Sequence, residues 1–411
     1  MNIYLSIKPE FLDRKKHVGL SKAAIQIHEF FQELQKKEII KMTYDINDNV
    51  DFYVFYSPKY ENVIASLNTT FKDLSRVVGK IIYITTSLEY DYTSMKQIED
   101  LFYLPPRMIL TNSEFSVRSF RNSFEKFIKK LSSRPDISEK FREIYDKIII
   151  DYFYLYCDGN VFTKLSEFDK EKFKNELGLT TKFNFIFNGA ITNEISFEDR
   201  KQIFRLILLF NKVFGDNKDV GLIIKTLNAD NYSSSYMAVD KNRKLFENFL
   251  KINKISNNVY FIFNNQTDEQ INMLYNMCDV YLSISSGEGF GYTLIEAALA
   301  GLPVAAINYS AYIELIDVTK IGHRMIKIPT PLYEVYSPFF DFEEECFPLA
   351  DEEDFIKKVK RLYEDKDYYN GALEIAKNNR NKILSKLDKE KIVNKISSIL
   401  SKCDDNRIIL P

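Results

Sequence analysis

The sequence lacks several kinds of residue that would assign it to a narrow class of proteins. Its 411 residues include no tryptophan, three histidines and four cysteines, and the cysteines stand far apart without Cys-x-x-Cys spacing. This pattern predicts neither a disulfide framework nor a zinc site. No segment reaches the roughly 18 apolar residues of a membrane-spanning helix, and the start of the chain lacks the basic and apolar regions of a signal peptide. We therefore expect a cytoplasmic protein.

An excess of charge of either sign is also missing, because 56 Lys and Arg residues face 58 Asp and Glu residues and leave a net charge of -2. Such a chain has no overall positive field, so we expect no nucleic-acid partner. Hydrophobic residues make up 45% of the chain and charged residues 28%, the balance of a folded globular protein. A chain of this length exceeds one ordinary core, so two domains are expected.

Short β-rich runs alternate with helical patterns along the whole chain. Five runs lie in the first half, at 3–7, 51–56, 80–85, 107–111 and 147–151. Five more lie in the second half, at 183–187, 221–226, 259–263, 280–285 and 303–307. This alternation predicts an α/β protein with two doubly wound, Rossmann-like domains, each a parallel sheet covered by helices on both faces.

The join between the domains is predicted at residues 158–182, where a turn-forming Cys-Asp-Gly-Asn stretch precedes a charged helical segment. We assign residues 1–160 to the N-terminal domain and 175–388 to the C-terminal domain. A final helix at about 389–403 is expected to pack back on the N-terminal domain. Ligands of open parallel sheets bind beyond the carboxyl ends of the strands, so the cleft between the domains is the expected site.

The most informative stretch is SSGEGFGYTLIEAALAGLPVAA, residues 285–306, which contains a glycine-rich turn, a helix and a strand. Gly287, Gly289 and Gly291 permit a tight turn and let a ligand approach the main chain. Strong helix formers follow at 293–300. Unpaired N–H groups and the helix dipole favour an anion at the start of that helix, and a nucleotide diphosphate is such an anion.

Two glutamates belong to this stretch, Glu288 in the turn and Glu296 in the helix, eight positions apart. A single helix would not place both on one short patch. A loop and a helix together can present both carboxylates to a ligand that lies across the helix start. The alternative, that both residues only cap and solvate a surface helix, is less consistent with the glycines and the strand order around them.

This stretch resembles the family 4 glycosyltransferases, whose signature is an EGFG-type turn with a second glutamate after seven residues, here Glu288-GFGYTLI-Glu296. The resemblance continues back through NVYFIFNNQTDEQINMLYNMCDVYLSIS and forward through AGLPVAAINYSAYIELI, where Glu314 matches another recurring glutamate. The alternative for Glu314 is that it caps the next helix. It is weaker in ILTNSEFSVRSF and CDGNVF. It implies the GT-B fold, in which two Rossmann-like domains face each other across a cleft, with the acceptor on the N-terminal side and the donor on the C-terminal side.

The resemblance further implies a retaining, hexosyltransferase-type enzyme that uses a UDP- or GDP-sugar donor, no other cofactor and no catalytic metal. Glu288 is implied as a catalytic residue that contacts the donor sugar, and Glu296 as the residue that binds the ribose. The other implied donor contacts are Gly189, Gly289, Phe290, Gly291, Tyr292 and Thr293. The sequence identifies neither the base and sugar of the donor nor the acceptor, a glycan, a lipid or another molecule.

One departure from the family pattern concerns the phosphate contacts. An arginine is expected after Gly189, but the residue there is Ala190. The later basic pair of the family is present as Arg200 and Lys201. We therefore predict Lys201 as the main, catalytic diphosphate contact and Arg200 as the second, with Lys225 as a substitute for the missing arginine. A solvated surface lysine is an equally good interpretation of Lys225.

The N-terminal side of the site departs further. The family's glycine loop is represented here by Gly19 alone, with His17 beside it, and an ordinary strand-to-helix turn is the alternative. The histidine that many members carry after a later strand is missing. Glu89 or Asp91 is predicted to take over acceptor contacts or proton transfer. A solvated, turn-forming role is the stronger alternative for both carboxylates.

Three functions and one membrane contact stay open at this point. A sugar transferase is favoured over a non-catalytic nucleotide-sugar-binding scaffold, which the departures above would fit, and over a transferase that modifies nucleic acid or protein. The helix predicted at 113–131 is basic and has a phenylalanine face. Such a helix fits peripheral contact with an anionic membrane, but packing of that face on the N-terminal sheet is the favoured interpretation.

Overall fold

The N-terminal domain is built on a parallel sheet. In the computed structural model, which describes residues 1–12, 19–86, 91–190, 200–226, 236–255, 258–327 and 346–403, this sheet has the strand order β2-β1-β3-β4-β5-β6. The strands are β1 (Asn2–Leu5), β2 (Lys41–Thr43), β3 (Phe52–Tyr56), β4 (Ile81–Ile84), β5 (Met108–Thr111) and β6 (Ile149–Tyr152). All neighbouring strands pair in parallel, as expected when helices connect them.

Five helices accompany this sheet within the described residues. They are α1 (Gly19–Lys36), α2 (Tyr60–Thr70), α3 (Met95–Tyr103), α4 (Glu114–Lys130) and α5 (Pro135–Lys147). Helix α4 begins where the Ser113 hydroxyl accepts a hydrogen bond from the Ser116 N–H at 3.1 Å. Its Phe120 and Phe124 are buried against the sheet. The phenylalanine face of α4 therefore belongs to the N-terminal core.

The C-terminal domain has a second parallel sheet, with the order β12-β11-β10-β7-β8-β9. Its strands are β7 (Phe183–Asn188), β8 (Val220–Lys225), β9 (Val259–Ile262), β10 (Val280–Ser283), β11 (Val304–Ile307) and β12 (Thr319–Ile321). Counted along the chain from β7, the order is 3-2-1-4-5-6, that of dinucleotide-binding domains. The connections leave β7 and β10 in opposite directions, so the topological switch point lies between these two strands.

The helices of the second half surround this sheet and return to the first domain. They are α6 (Lys170–Glu176), α7 (Ile203–Phe214), α8 (Tyr236–Ile252), α9 (Asp268–Met277), α10 (Tyr292–Leu299), α11 (Glu352–Glu364), α12 (Lys366–Lys386) and α13 (Lys389–Ser401). An antiparallel pair, β13 (His323–Lys327) and β14 (Cys346–Ala350), lies beside the sheet. None of the helices that the structure describes is long and apolar enough to cross a membrane.

The two domains are in contact through a shared apolar core. One buried cluster combines Ile27 and Phe30 of α1 with Tyr281 and Leu294 of the C-terminal domain and Ile396 of α13. Helix α13 lies against the N-terminal domain. Its end is tied to that domain by two contacts, the ion pair of Lys402 Nζ with Asp151 Oδ2 at 2.8 Å and the hydrogen bond from Arg107 Nη2 to the Lys402 carbonyl at 3.2 Å.

All ten strands predicted from the sequence are present, with ends that differ by at most two residues. The sequence analysis missed β2, β12 and the β13–β14 pair. These are edge strands or lie outside the main sheets, where short length and partial exposure remove the apolar run that marks a central strand. His323 begins β13, and its ring packs edge-on against Tyr309 with ring centroids 5.6 Å apart.

Candidate active site

The predicted donor residues gather at the switch point of the C-terminal sheet. Gly189 follows β7, and the glycine-rich turn of residues 285–291 follows β10, the strand beside β7. Helix α10 then begins, with its N-cap at Gly291. A side chain on Gly291 is excluded twice, by its φ of +85° and by a Cβ position only 2.9 Å from Tyr312 Cβ. Only glycine is therefore compatible with this position at the start of α10.

The Glu288 carboxylate lies at the centre of this turn and is buried with two cations. Lys201 Nζ donates to Glu288 Oε1 at 2.5 Å, and Arg200 Nη1 lies 3.8 Å from Oε2. Burial favours the neutral form of Glu288, but the charges of Lys201 and Arg200 and the hydrogen bond from Lys201 outweigh it. The pKa of Glu288 is therefore lower than its usual value, and the carboxylate is ionised at neutral pH.

The main chain of the Glu288 turn is fixed by hydroxyl groups. The Glu288 N–H donates to Ser310 Oγ at 2.8 Å, and the Ser310 hydroxyl donates to the Glu288 carbonyl at 2.7 Å. Ser285 Oγ donates to the Gly287 carbonyl at 3.0 Å. These short-range contacts hold the backbone, so the orientation of the Glu288 side chain is determined before any ligand binds.

Arg200 and Lys201 reach the turn from the start of α7. The Arg200 guanidinium donates to the Gly287 carbonyl at 2.9 Å, and the Arg200 carbonyl accepts from the Ser286 N–H at 2.8 Å. The Lys201 side chain passes over Gly189, where a Cβ would lie 3.6 Å from Lys201 Cδ and 2.8 Å from the Phe187 ring. Gly189 therefore leaves room for the Phe187 ring and lies in contact with the Lys201 side chain.

Lys225 is a third cation at the carboxyl edge of this sheet. It ends β8 and pairs in register with Asn188, on the sheet face that α9 covers through the hydrogen bond from Asn188 Nδ2 to Tyr275 Oη at 3.0 Å. Lys225 is only 5% exposed. Among the described residues no acidic group faces its ammonium, and burial lowers the pKa of Lys225 to about 8. Its placement is therefore not that of a solvated surface lysine.

Glu296, the second signature glutamate, is buried on the first turns of α10 and is paired with a residue that the sequence analysis missed. Lys22 Nζ of α1 donates to Glu296 Oε1 at 2.7 Å and lies 3.5 Å from Asp268 Oδ2. Burial alone would lower the pKa of Lys22, but Glu296 and Asp268 raise it above its usual value. This contact joins the two domains at the predicted ribose position.

The other predicted turn residues contribute in different ways. The Thr293 hydroxyl accepts a hydrogen bond from Tyr281 Oη at 2.8 Å, beneath the turn. Phe290 is buried and its ring packs against Tyr292 with centroids 4.9 Å apart. The Gly289 carbonyl accepts from Asn112 Nδ2 of the N-terminal domain at 2.9 Å. In this structure these contacts support the turn and connect it to the N-terminal domain.

Glu314 connects the domains at a second point. Its Oε1 accepts from the Phe115 N–H at 2.6 Å and its Oε2 from the Glu114 N–H at 3.1 Å, at the start of α4. Tyr154 Oη donates to Oε2 at 3.2 Å. A carboxylate at a helix N-terminus satisfies free N–H groups and interacts favourably with the helix dipole. Glu314 therefore caps a helix, as the sequence alternative held, but a helix of the other domain.

The acceptor-side predictions are only partly covered. His17 and Glu89 lie outside the described residues, and Gly19 is the first residue of α1. The Asp91 N–H donates to Tyr309 Oη at 3.0 Å, at the boundary between the domains. Burial raises the pKa of Asp91, against the opposing effects of Tyr309, Arg118 and His323. In the part of the chain that the structure describes, no three His, Cys, Asp or Glu side chains form a group that fits a metal ion.

The C-terminal half of the chain has recognisable relatives. Residues 170–324 match the family model of the Glycosyl transferases group 1. The O-antigen biosynthesis glycosyltransferase WclY of Escherichia coli is 31% identical over 122 residues, which are 29% of this chain and 33% of that protein. The chain thus aligns with about a third of the length of this curated relative.

Solved structures resemble nearly the whole chain. A crystal structure of Anabaena HepE in complex with UDP and glucose has a TM-score of 0.56 at 16% identity, covering 98% of this chain and 100% of that one. Sucrose-phosphate synthase from Thermosynechococcus elongatus has a TM-score of 0.53 at 13% identity, covering 97% and 82%. The fold is GT-B. This GT-B architecture confirms the two Rossmann-like domains predicted from the sequence.

Proposed function

We propose that the protein is a retaining glycosyltransferase, which transfers a sugar from a UDP- or GDP-sugar to a glycan or lipid acceptor. The observation that carries the proposal is the buried Glu288 carboxylate with Lys201 and Arg200 at the switch point of the C-terminal sheet, beside Glu296. Carboxylates accept hydrogen bonds from sugar hydroxyls, while the cations and the N–H groups at the start of α10 suit a diphosphate.

The cations would act on the departing diphosphate. Transfer leaves a cation-like sugar and returns negative charge to the nucleotide, so fixed positive groups lower the barrier. In the structure both cations lie beside the Glu288 carboxylate. We propose that Lys201, with Arg200, contacts the donor phosphates, and that Lys225 supplies the charge missing at Ala190. Burial without an acidic partner supports this role for Lys225.

Glu288 would remain a carboxylate throughout. Because its pKa is lowered, it accepts hydrogen bonds from donor hydroxyls and does not serve as a proton donor at neutral pH. Glu296 would accept hydrogen bonds from the ribose. Retention of the anomeric configuration and independence from a metal ion are proposed on the resemblance of the Glu288-x7-Glu296 signature alone.

On the acceptor side we propose Asp91 as the group that contacts or deprotonates the acceptor. It stands on the N-terminal side of the domain boundary, and its raised pKa moves it toward the range of a useful base. His17 and Glu89 stay predictions for the same role. The O-antigen function named for WclY supports a glycan acceptor, and the UDP complex of HepE supports a UDP-sugar donor.

The alternative, a nucleotide-sugar-binding scaffold without catalysis, is favoured by two departures from the family pattern, the missing arginine at Ala190 and the missing histidine near Glu89. The two functions differ in turnover. A scaffold would be stabilised by a donor but would neither transfer nor hydrolyse its sugar.

The test is a thermal-shift screen with UDP-, GDP- and ADP-sugars, followed by assays of donor hydrolysis and transfer. A ligand that binds the folded state raises the melting temperature by mass action. We expect one donor to stabilise the wild type and Glu296→Gln to lose that shift. Glu374→Gln, an exposed change on α12, serves as the matched control. The absence of a shift with every donor would contradict the proposal, and a shift without turnover would favour the scaffold.

A further inference from the structure

We infer that Lys22 of the N-terminal domain is a positioning residue for the nucleotide, because it holds one oxygen of Glu296 and leaves the other for the ribose. The inference rests on the proposed donor role of Glu296. Lys22 then joins the nucleotide site from the opposite domain. That site is therefore complete only when the two domains are in contact.

The contact is a short, directed ion pair. Lys22 Nζ lies 2.7 Å from Glu296 Oε1, and the two side chains are 23% and 7% exposed. At this distance the pair is a charge-assisted hydrogen bond, stronger than an ordinary neutral one. No described donor is within hydrogen-bond distance of Glu296 Oε2. Glu296 Oε2 is thus available to accept a hydrogen bond from a hydroxyl group.

The Lys22 ammonium group lies among acidic and aromatic side chains from outside the N-terminal domain. Asp268 Oδ2 is 3.5 Å from Lys22 Nζ, and the rings of Phe162 and Tyr292 lie with their centroids 5.4 and 5.2 Å from it. Two carboxylates and two aromatic faces all favour a cation. Asp268, Tyr292 and Glu296 belong to the C-terminal domain and Phe162 to the connection between the domains, whereas Lys22 stands on the first turns of α1.

Neighbouring contacts fix the same region of α1. Gln26, one turn after Lys22, donates from Nε2 to the Tyr156 carbonyl at 2.8 Å and accepts from the Tyr156 N–H at 2.9 Å. Tyr292 Oη also donates to Gln26 Oε1 at 3.3 Å. The helix that carries Lys22 is therefore tied to the start of α10, where Glu296 is located, so the ammonium group cannot shift without disturbing several hydrogen bonds.

If the Lys22–Glu296 contact blocked nucleotide binding, removing the lysine would change the affinity in the opposite direction. If Lys22 blocked Glu296, removal of its charge would free the carboxylate and tighten nucleotide binding. If Lys22 positions Glu296, removal leaves the carboxylate beside Asp268 without a cation, and the nucleotide binds more weakly. The sign of the change in affinity therefore decides between the two roles.

The experiment measures binding of UDP and GDP, and of their 2′,3′-dideoxy analogues, to Lys22→Met by titration calorimetry. We expect about tenfold weaker binding of the ribonucleotide, the effect of losing one charge-assisted hydrogen bond. The ratio of the affinities for the ribonucleotide and its dideoxy analogue should fall by the same factor, because Glu296 contacts only the ribose hydroxyls. Lys22→Arg, which keeps the charge, should restore most of the affinity. Lys36→Met, an exposed change on the same helix, is the control.

A double-mutant cycle with Glu296→Gln separates this inference from the proposed function. If Lys22 acts through Glu296, Lys22→Met has no further effect on affinity in the Glu296→Gln background. The double variant also removes both charges, so it stays folded if the single lysine variant does not. The inference would be overturned if Lys22→Met weakened binding equally in the wild-type and Glu296→Gln backgrounds, or if Lys22→Met bound the nucleotide more tightly. Unchanged ribonucleotide binding by Glu296→Gln itself would instead refute the proposed ribose role.

Discussion

Glu288 and Glu296 belong to one sequence motif, yet the two carboxylates obtain their lysines in different ways. Glu288 pairs with Lys201, which comes from the same domain and is held over Gly189. Glu296 pairs with Lys22 from the other domain. The first pair is therefore complete within the C-terminal domain, whereas the second requires contact between the domains.

The two carboxylate–lysine pairs are therefore suited to different parts of the reaction. A pair inside one domain keeps its geometry when the domains move, so it suits groups that stabilise charge during transfer. A pair between domains depends on their contact, so it suits recognition of the nucleotide by both domains together. The largest consequence expected is a separation of kinetic effects, with Glu288 governing kcat and Glu296 governing the donor KM.

The variant Glu288→Gln tests the first half of this comparison. It keeps the size of the side chain but leaves Lys201 buried without its anion. We expect kcat to fall by about 10²–10³-fold, the range for losing one preorganised electrostatic contact, with a smaller change in the donor KM. The free energy of unfolding should decrease by about 3 kcal/mol, because a buried charge loses its partner. Steady-state kinetics and urea denaturation measure the two effects.

The double variant Glu288→Gln/Lys201→Met serves as the control. It removes both charges, so stability should largely recover while transfer remains slow. Recovery of transfer together with stability would mean that Glu288 only supports the fold, and the comparison between the two glutamates would then fail.

Much of the local geometry at this proposed donor site could be predicted from the sequence, because the residues concerned are close together in the chain. The strand, the glycine turn and Glu288 are contiguous, and the glycines have clear conformational reasons. Lys201 was also predicted, from a basic pair in the expected order. Lys22 was missed because its contact with Glu296 spans 274 positions. In the sequence Lys22 looks like any lysine on an amphipathic helix, and only the relative placement of the domains shows its role.

The same reasoning explains the uneven prediction of the fold. Ten of the twelve strands in the two sheets have apolar runs, which the sequence displays directly. Edge strands such as β2, with an exposed and partly exposed pattern, have no such signal. Glu314 was interpretable as a helix cap from its sequence context, but the helix it caps begins about 200 positions earlier, at Glu114. A capping role of Glu314 was therefore predictable from the sequence, and the helix that it caps was not.

Lys225 permits a test of pH dependence, with an effect smaller than that of Glu288→Gln. Its pKa is lowered to about 8 from 10.5, so the unfolded chain binds more protons between these values. The cost of burying the ammonium is complete below pH 8 and is relieved as pH rises toward 10.5, so this residue makes stability increase with pH in that window. Lys225→Met should therefore be more stable than the wild type at pH 7.

Binding of a diphosphate should show the opposite trend. If the Lys225 ammonium contacts the phosphates, the affinity for UDP or GDP falls about tenfold between pH 7 and pH 9.5, because the free protein loses the charge first. Lys225→Met should bind more weakly at pH 7 and show a flatter profile. Parallel profiles for the two proteins in titration calorimetry would exclude Lys225 from the phosphate site.

The smallest expected effect concerns Glu314, a carboxylate that joins the domains without facing the donor. Glu314→Ala removes two hydrogen bonds from the start of α4 and should lower the free energy of unfolding by about 1 kcal/mol. Glu314→Gln keeps one acceptor oxygen and should lose less. Because Ser113 still caps α4, donor affinity should stay within about twofold. A larger loss of affinity would mean that domain contact at any point, and not the Lys22–Glu296 pair in particular, controls nucleotide binding.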